Sequence, residues 1–293
     1  MDYAIKLAFP IQWKKKLLAR SFSTIGFSTV LLFLQKFIYR RGYIRGVHYH
    51  GTDGSHKASF EKQIKYYRRY FSNVTKEDLQ KFLQKGHWHK SKPGLIISFD
   101  DGLRSNFVHA APLLERHGFT GWFFVPTSLI AAPATDQVNL GKGQTSCEKA
   151  PVFMSWDDLH KLDMHHIIGS HTRTHARPQT CPNQDILRDE IFGSKRDLEE
   201  KLGHSVDIFC WVGGELESYS AFAAQMIAEA GYRFSFLTDS MPILPGTNPM
   251  QLYRTQIEAD WPLDLVKLHL SGVMDVRHTF KRRRINQIIT EIH

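Results

Sequence analysis

Short apolar runs recur along the whole chain, separated by segments of helical length. Residues 95–99, 122–125, 167–170, 208–211 and 234–238 read as buried strands, and residues 47–50 as a short extended segment. Between and after them, residues 60–70, 75–83, 110–117, 156–164, 183–202, 219–230 and 263–270 carry helical spacing. The punctuation agrees. Thr75 with Asp78, and Ser155 with Asp157 and Asp158, supply helix starts, while Gly118, Gly203 and Gly231 supply stops. Gly51-Thr52-Asp53-Gly54 is turn chemistry, and residues 131–150 read as a polar loop. Strands alternating with helices predict a parallel-sheet α/β architecture, open or closed as a barrel.

Composition narrows the class. Of 293 residues, 42% are hydrophobic and 23% charged, enough to bury a core and to exclude global disorder. The three cysteines, Cys147, Cys181 and Cys210, cannot all pair within one chain and form no CxxC, so neither a disulfide framework nor a cysteine zinc knuckle is expected. The formal charge is +9, and nearly all the excess falls in the first fifty residues, where Asp2 is the only acid. That charge flanks an apolar stretch rather than spreading over the body. It favours anionic lipid headgroups, through residues 1–45, over nucleic acid.

Residues 21–35 are uncharged and bracketed by Arg20 and Lys36. A spanning helix needs about 20 apolar residues, so this stretch fits an interfacial helix, a marginal span or a core-packed helix. Lys36, Phe37, Tyr39 and Arg40 make no cleavage site for a secretory leader. A membrane-associated or cytoplasmic location is expected, with export as the alternative.

Two motifs carry chemistry. Residues 96–102, Ile-Ile-Ser-Phe-Asp-Asp-Gly, put Asp100 and Asp101 just past a buried strand, the edge where α/β active sites lie. One carboxylate can bind a metal while the other orients or deprotonates its water. The plainer alternative is a helix cap followed by a turn. Residues 169–175, Gly-Ser-His-Thr-Arg-Thr-His, follow a second short strand. On a helical turn His171 and His175 would share a face and reach one metal. With Asp101 they would make a two-histidine, one-carboxylate site that suits Zn²⁺ and other divalent transition ions. With 16 histidines in the chain, a chance pair is the competing reading. His165 and His166 read as surface or helix-end residues, and Glu190, Glu199 and Glu200 as a solvated helix face.

Together these motifs, about seventy residues apart, resemble those of the polysaccharide deacetylase family, the NodB-homology group of carbohydrate esterases. Residues 121–126, residues 156–159 and the lead-in at residues 48–50 and 59–64 resemble the family as well. The resemblance implies a distorted (β/α) barrel of about seven strands. It spans a NodB-like domain at residues 45–293, preceded by a basic apolar helical segment at residues 1–44. It further implies that Asp101, His171 and His175 hold a divalent metal, Zn²⁺ or else Co²⁺ or Ni²⁺, and that Asp100 is the base. Ser170 and Thr172 would hydrogen-bond near the ligands. The implied reaction is hydrolysis of an N-acetyl group on an amino sugar in a polysaccharide or lipid-linked glycan.

The third family motif departs from the pattern. Cys210 stands where the family has Arg or Ala, Val212 replaces Pro, and Gly213 replaces an aromatic. The arginine that would position Asp100 is thus missing from its usual place. Trp211, Gly213 and Gly214 are expected to form a groove wall with close backbone approach to substrate. His269, in Leu268-His269-Leu270, is the nearest candidate for the family's general acid. Arg254 resembles an arginine of a divergent branch that would bind substrate or stabilise charge. Two further functions fit these residues: a deacylase removing another group, such as formyl, from a lipid-linked amino sugar, and a non-catalytic glycan-binding module. An intact Asp100 weighs against the module.

Overall fold

The computed structural model describes residues 27–131, 152–215, 218–273 and 275. The first 26 residues, nearly all of the expected polar loop at 131–150, Cys147 and the basic run at 281–284 lie outside them.

The apolar runs assemble into one sheet. Its strands are β1 (Ile44–Tyr49), β2 (Ser72–Asn73), β3 (Gly94–Phe99), β4 (Gly121–Val125), β5 (Ile167–Ser170), β6 (Ile208–Cys210), β7 (Phe234–Leu237), β8 (Pro242–Ile243), β9 (Leu252–Tyr253) and β10 (Thr255–Gln256). Eight of them follow the order β10-β1-β3-β4-β5-β6-β7-β9, with β2 beside β3 and β8 beside β1. Every pairing is parallel except β8 with β1. Helices between strands cover the outside, as parallel sheets require.

The two ends of this path are consecutive in sequence. β9 pairs with β7 and β10 pairs with β1, and only Arg254 separates them. One five-residue segment therefore draws the edges together into a nearly closed, distorted barrel. Eight strands stand where the family resemblance implied about seven. The closing strands are two residues each, too short to show a period in sequence.

Alternation along each strand splits the core. Ile96, Trp122, Phe124, Ile208, Phe234 and Phe236 form the inward cluster. Val47, Ile97, Phe99, Phe123 and Val125 pack outward, with Phe60, Ile64 and Leu114 from covering helices. Residues at even positions of β3, β6 and the seam thus share the interior, which sets Asp100, Cys210 and Arg254 on one side.

The helix Phe27–Ile38 takes up part of the uncharged stretch at residues 21–35. It rests on the helix Leu263–Leu270: Gln35 donates to the Leu270 carbonyl and accepts from Arg45, whose guanidinium also grips both oxygens of Asp275. Among the described residues no helix is long and apolar enough to cross a membrane.

Candidate metal centre and catalytic rim

β1 and β3 end in register, as do β4 and β5 two residues further on, at one rim. Tyr49 lies beside Phe99, Phe99 beside Phe123, and Val125 beside Ser170. The acidic pair and the histidine motif, which follow β3 and β5, are delivered there together.

Asp100 continues the line of β3, its N–H donating to the Tyr49 carbonyl. Asp101 then turns left-handed, with φ 68°. Thr172 and His175 also have positive φ, each 64°. Three non-glycine residues in this sparsely populated region, all at one rim, mark backbone held by its surroundings. The turn at Asp101 sends adjacent carboxylates to different partners.

Asp101 faces the histidines. Its Oδ1 lies 3.0 Å from His175 Nε2 and 3.6 Å from His171 Nε2. These three side chains can hold one metal ion. His171 Nδ1 is 2.9 Å from the Cys210 carbonyl oxygen. A carbonyl only accepts, so Nδ1 carries a proton and Nε2 is the ring nitrogen that faces Asp101. Burial would raise the Asp101 pKa, but hydrogen bonds from both histidines hold it well below the usual carboxylate range. Asp100, His171 and Cys210 also lie close enough to share an ion. Arg254 already engages both Asp100 oxygens, however, so the Asp101 group has the donor atoms to spare.

The helical turn expected for His171 and His175 is not what brings them together. Residues 171–175 form a bent loop, and left-handed Thr172 and His175 supply the curvature. Glu190 holds that loop: its carboxylate accepts from the N–H groups of Arg173 and Thr174 at 2.8 Å, and from the Thr174 hydroxyl. Glu190 is buried, which corrects its reading as solvated helix face. It sits in a π-helical turn, Asp189–Gly193, where the extra residue per turn breaks regular helical spacing. His166 is likewise buried rather than exposed, its ring accepting from Gly121 N–H.

Asp100 is held differently. Arg254 donates to its two oxygens at 2.6 and 3.0 Å, and to Cys210 Sγ at 2.8 Å. Burial would raise the Asp100 pKa, but the Arg254 charge, aided by His171 and His48, lowers it to about 2. Arg254 is fully enclosed, its guanidinium held between Asp100 and Cys210 rather than facing solvent.

A further histidine was noted in the sequence only as lead-in. His50 follows β1 at the same rim, with Nδ1 3.1 Å from Glu258. Asn106 fixes its carbonyl. Burial pulls its pKa down, but the Glu258 hydrogen bond and the charges of Asp101, Glu258 and Asp100 carry it up to about 9. No spacing links residues 50 and 258; the chain meets itself here because β10 pairs with β1.

The remaining sequence candidates lie elsewhere. His269 is on the helix Leu263–Leu270, its ring 4.9 Å from that of Trp261, outside the Asp101 group. Trp211 is enclosed, donating to Ser235 and packed on Tyr219, and presents no groove wall. Gly213 and Gly214 adopt φ 80° and 61°. At Gly214 the close approach is to Thr238, whose hydroxyl donates to the Gly213 carbonyl, and at Gly213 it is to the Glu215 side chain. Ser170 bonds Ser194, away from the ligand atoms. Thr172 is buried beside His171, and its hydroxyl has no hydrogen-bond partner among the described residues.

Comparison with known proteins follows the same line. The family model described as Polysaccharide deacetylase matches residues 88–235. Among solved structures, the Streptococcus pyogenes deacetylase PplD in complex with acetate is 15% identical, with TM-score 0.61, covering 78% of this chain and 97% of that one. IcaB from Ammonifex degensii is 18% identical, TM-score 0.63, covering 78% and 97%. BC0361, a polysaccharide deacetylase from Bacillus cereus, is 19% identical, TM-score 0.57, covering 78% and 69%. At these identities the likeness is one of fold. No curated protein matches the chain by sequence.

Proposed function

This chain belongs to the polysaccharide deacetylase family, and from that premise we propose that it hydrolyses the N-acetyl group of an amino sugar within a glycan, with a divalent metal as cofactor. The observation that carries the reading is the pair of adjacent carboxylates held in opposite ways: Asp101 by two imidazoles, Asp100 by a buried guanidinium.

Asp101, His171 and His175 would hold the metal. One carboxylate oxygen and two imidazole nitrogens suit Zn²⁺, and Co²⁺ or Ni²⁺ in its place. A bound ion would polarise the acetamide carbonyl and acidify a water at the site. Asp100 is the base. Arg254 keeps it ionised and fixes its plane, and each carboxylate oxygen retains a second lone pair to take the proton of that water. As the C–N bond breaks, the amine nitrogen needs a proton and acetate leaves. His50, at the same rim and kept protonated by Glu258, supports the role of acid better than His269 does.

The test is acetate release from N-acetylglucosamine oligomers by protein stripped with chelator and then restored with Zn²⁺, Co²⁺ or Ni²⁺. Release that returns with metal and is abolished in Asp100→Asn is the expected result. Stoichiometric metal binding without acetate release would sink the deacetylase reading. Formate from N-formylated sugars would then favour the other deacylase, and glycan binding without turnover the non-catalytic module.

A further inference from the structure

The helix Phe27–Ile38 buries only part of its surface. Leu32, Gln35 and Ser28 face the body, while Val30, Phe33, Leu34, Phe37 and Ile38 are exposed, Phe37 at 75% and Ile38 at 69%. Five large apolar side chains on one short helix are far more than scattered surface hydrophobes. From its C-terminal end runs a cleft of about 410 Å³. Lys36, Arg40, Arg41, His87, Lys90 and Lys92 line it with Trp88, and no carboxylate among the described residues does. Lys90 is paired with Asp78, whereas Lys36, Arg40 and Arg41 are exposed and have no carboxylate partner among the described residues. An apolar face continuous with a cationic, aromatic-walled cleft is the chemistry of a bilayer interface: acyl chains for the first, lipid phosphates for the second.

We propose that this helix face and cleft dock on an anionic phospholipid bilayer. The cleft residues Gly42 and Tyr43 precede the first residue of β1, and Lys92 and Pro93 precede β3, whereas Asp100 and Asp101 follow the far end of β3. In a parallel sheet those are opposite ends. Six residues of strand separate them by about 20 Å, so the docked protein turns its catalytic rim away from the headgroups. Resting on the proposed activity, this makes the substrate a glycan chain standing clear of the surface rather than a sugar at the surface of the same bilayer.

The experiment floats the full-length protein with vesicles of phosphatidylcholine alone and with 30% phosphatidylglycerol, at about 0.1 and 0.5 M salt. Binding to the anionic vesicles that weakens with salt is expected. Phe33→Asp/Phe37→Asp and Arg40→Glu/Arg41→Glu should each lower the partition by about tenfold, with unchanged circular dichroism and unchanged acetate release from soluble oligomers. Equal binding by wild type and both variants, or no binding to anionic vesicles, overturns the proposal. So does a dimer in solution that F33D/F37D converts to monomer without any vesicle binding. Vesicle-bound protein should also keep its activity on soluble oligomers. Loss of activity on docking overturns the orientation, while inactivity of the free protein is a failure of the catalytic reading alone.

Discussion

Arg254 donates to both oxygens of Asp100 across 154 positions of sequence, from the single residue between the two strands that close the barrel. Its guanidinium also lies over the rings of Phe124 and Phe236, 5.2 and 5.9 Å from their centroids. Cys210, which stands where the resemblance has Arg or Ala, accepts from Arg254 through its sulfur. The pair is fully desolvated, so removing one member leaves the other charge buried without compensation.

Arg254→Met should therefore destabilise the fold by about 3–5 kcal/mol at neutral pH, read by urea denaturation. The pH dependence has a definite sign. The Asp100 pKa is depressed to about 2 from 3.8, so its contribution is fully present above pH 3.8 and fades as pH falls toward 2. The difference between wild type and Arg254→Met should shrink over that window. Arg254→Lys keeps the charge and loses the fork; it should retain most stability yet lower kcat with little change in KM. Equal stability of wild type and Arg254→Met at pH 7 would refute the argument.

Glu190 shapes the histidine loop without touching a ligand atom. Two N–H groups and one hydroxyl depend on its carboxylate. Glu190→Ala orphans them, at a cost of about 1–3 kcal/mol, and frees residues 171–175 to leave their left-handed backbone. Zn²⁺ affinity, measured by competition with a chelating dye, should fall about 10–100-fold. Unaltered affinity would leave Glu190 a merely structural role.

How much of this was legible in sequence follows from the range of each interaction. Strands of four to six residues bounded by turns announced themselves, and Asp101, His171 and His175 sit at strand ends where local pattern places them. The closing strands did not, since two residues carry no period. With them went Arg254 as the partner of Asp100, and Glu258 as the partner of His50, because both depend on the seam. Glu190 misled because a helical wheel assumes 3.6 residues per turn and a π turn breaks that spacing. Trp211 misled because a tryptophan beside two glycines reads as a ligand wall, while its N–H found a buried partner in Ser235.

Gly46 is the position where closure of the barrel leaves no room. A Cβ there would lie 2.5 Å from the Tyr253 carbonyl oxygen and 3.0 Å from Arg254 Cγ. The first contact is backbone and cannot rotate away. Gly46→Ala should push the seam outward, costing about 1–3 kcal/mol, and should lower acetate release by displacing Arg254 from Asp100. Gly86→Ala is the control for glycine replacement itself: no atom lies within 4 Å of its added Cβ, although its φ of 69° adds strain. Unlike Gly46→Ala, it should leave kcat unchanged.

With His50 as the proposed acid, His50 and Glu258 should set the alkaline limit of the proposed reaction. An acid must carry its proton, so turnover should fall as pH rises through the His50 pKa. With Glu258 in place that value is raised to about 9 from 6.5. Because it is raised, the pair also contributes stability that is complete below pH 6.5 and is lost as pH climbs through 9. Glu258→Gln removes the charge and weakens the hydrogen bond, so the basic limb of the kcat/KM profile should move to lower pH while the acidic limb stays. His50→Gln should abolish that limb and cut kcat about 10²–10⁴-fold, the usual contribution of a positioned acid. Should His269→Gln give that loss and His50→Gln leave the profile intact, the acid is His269 and the assignment made here is overturned.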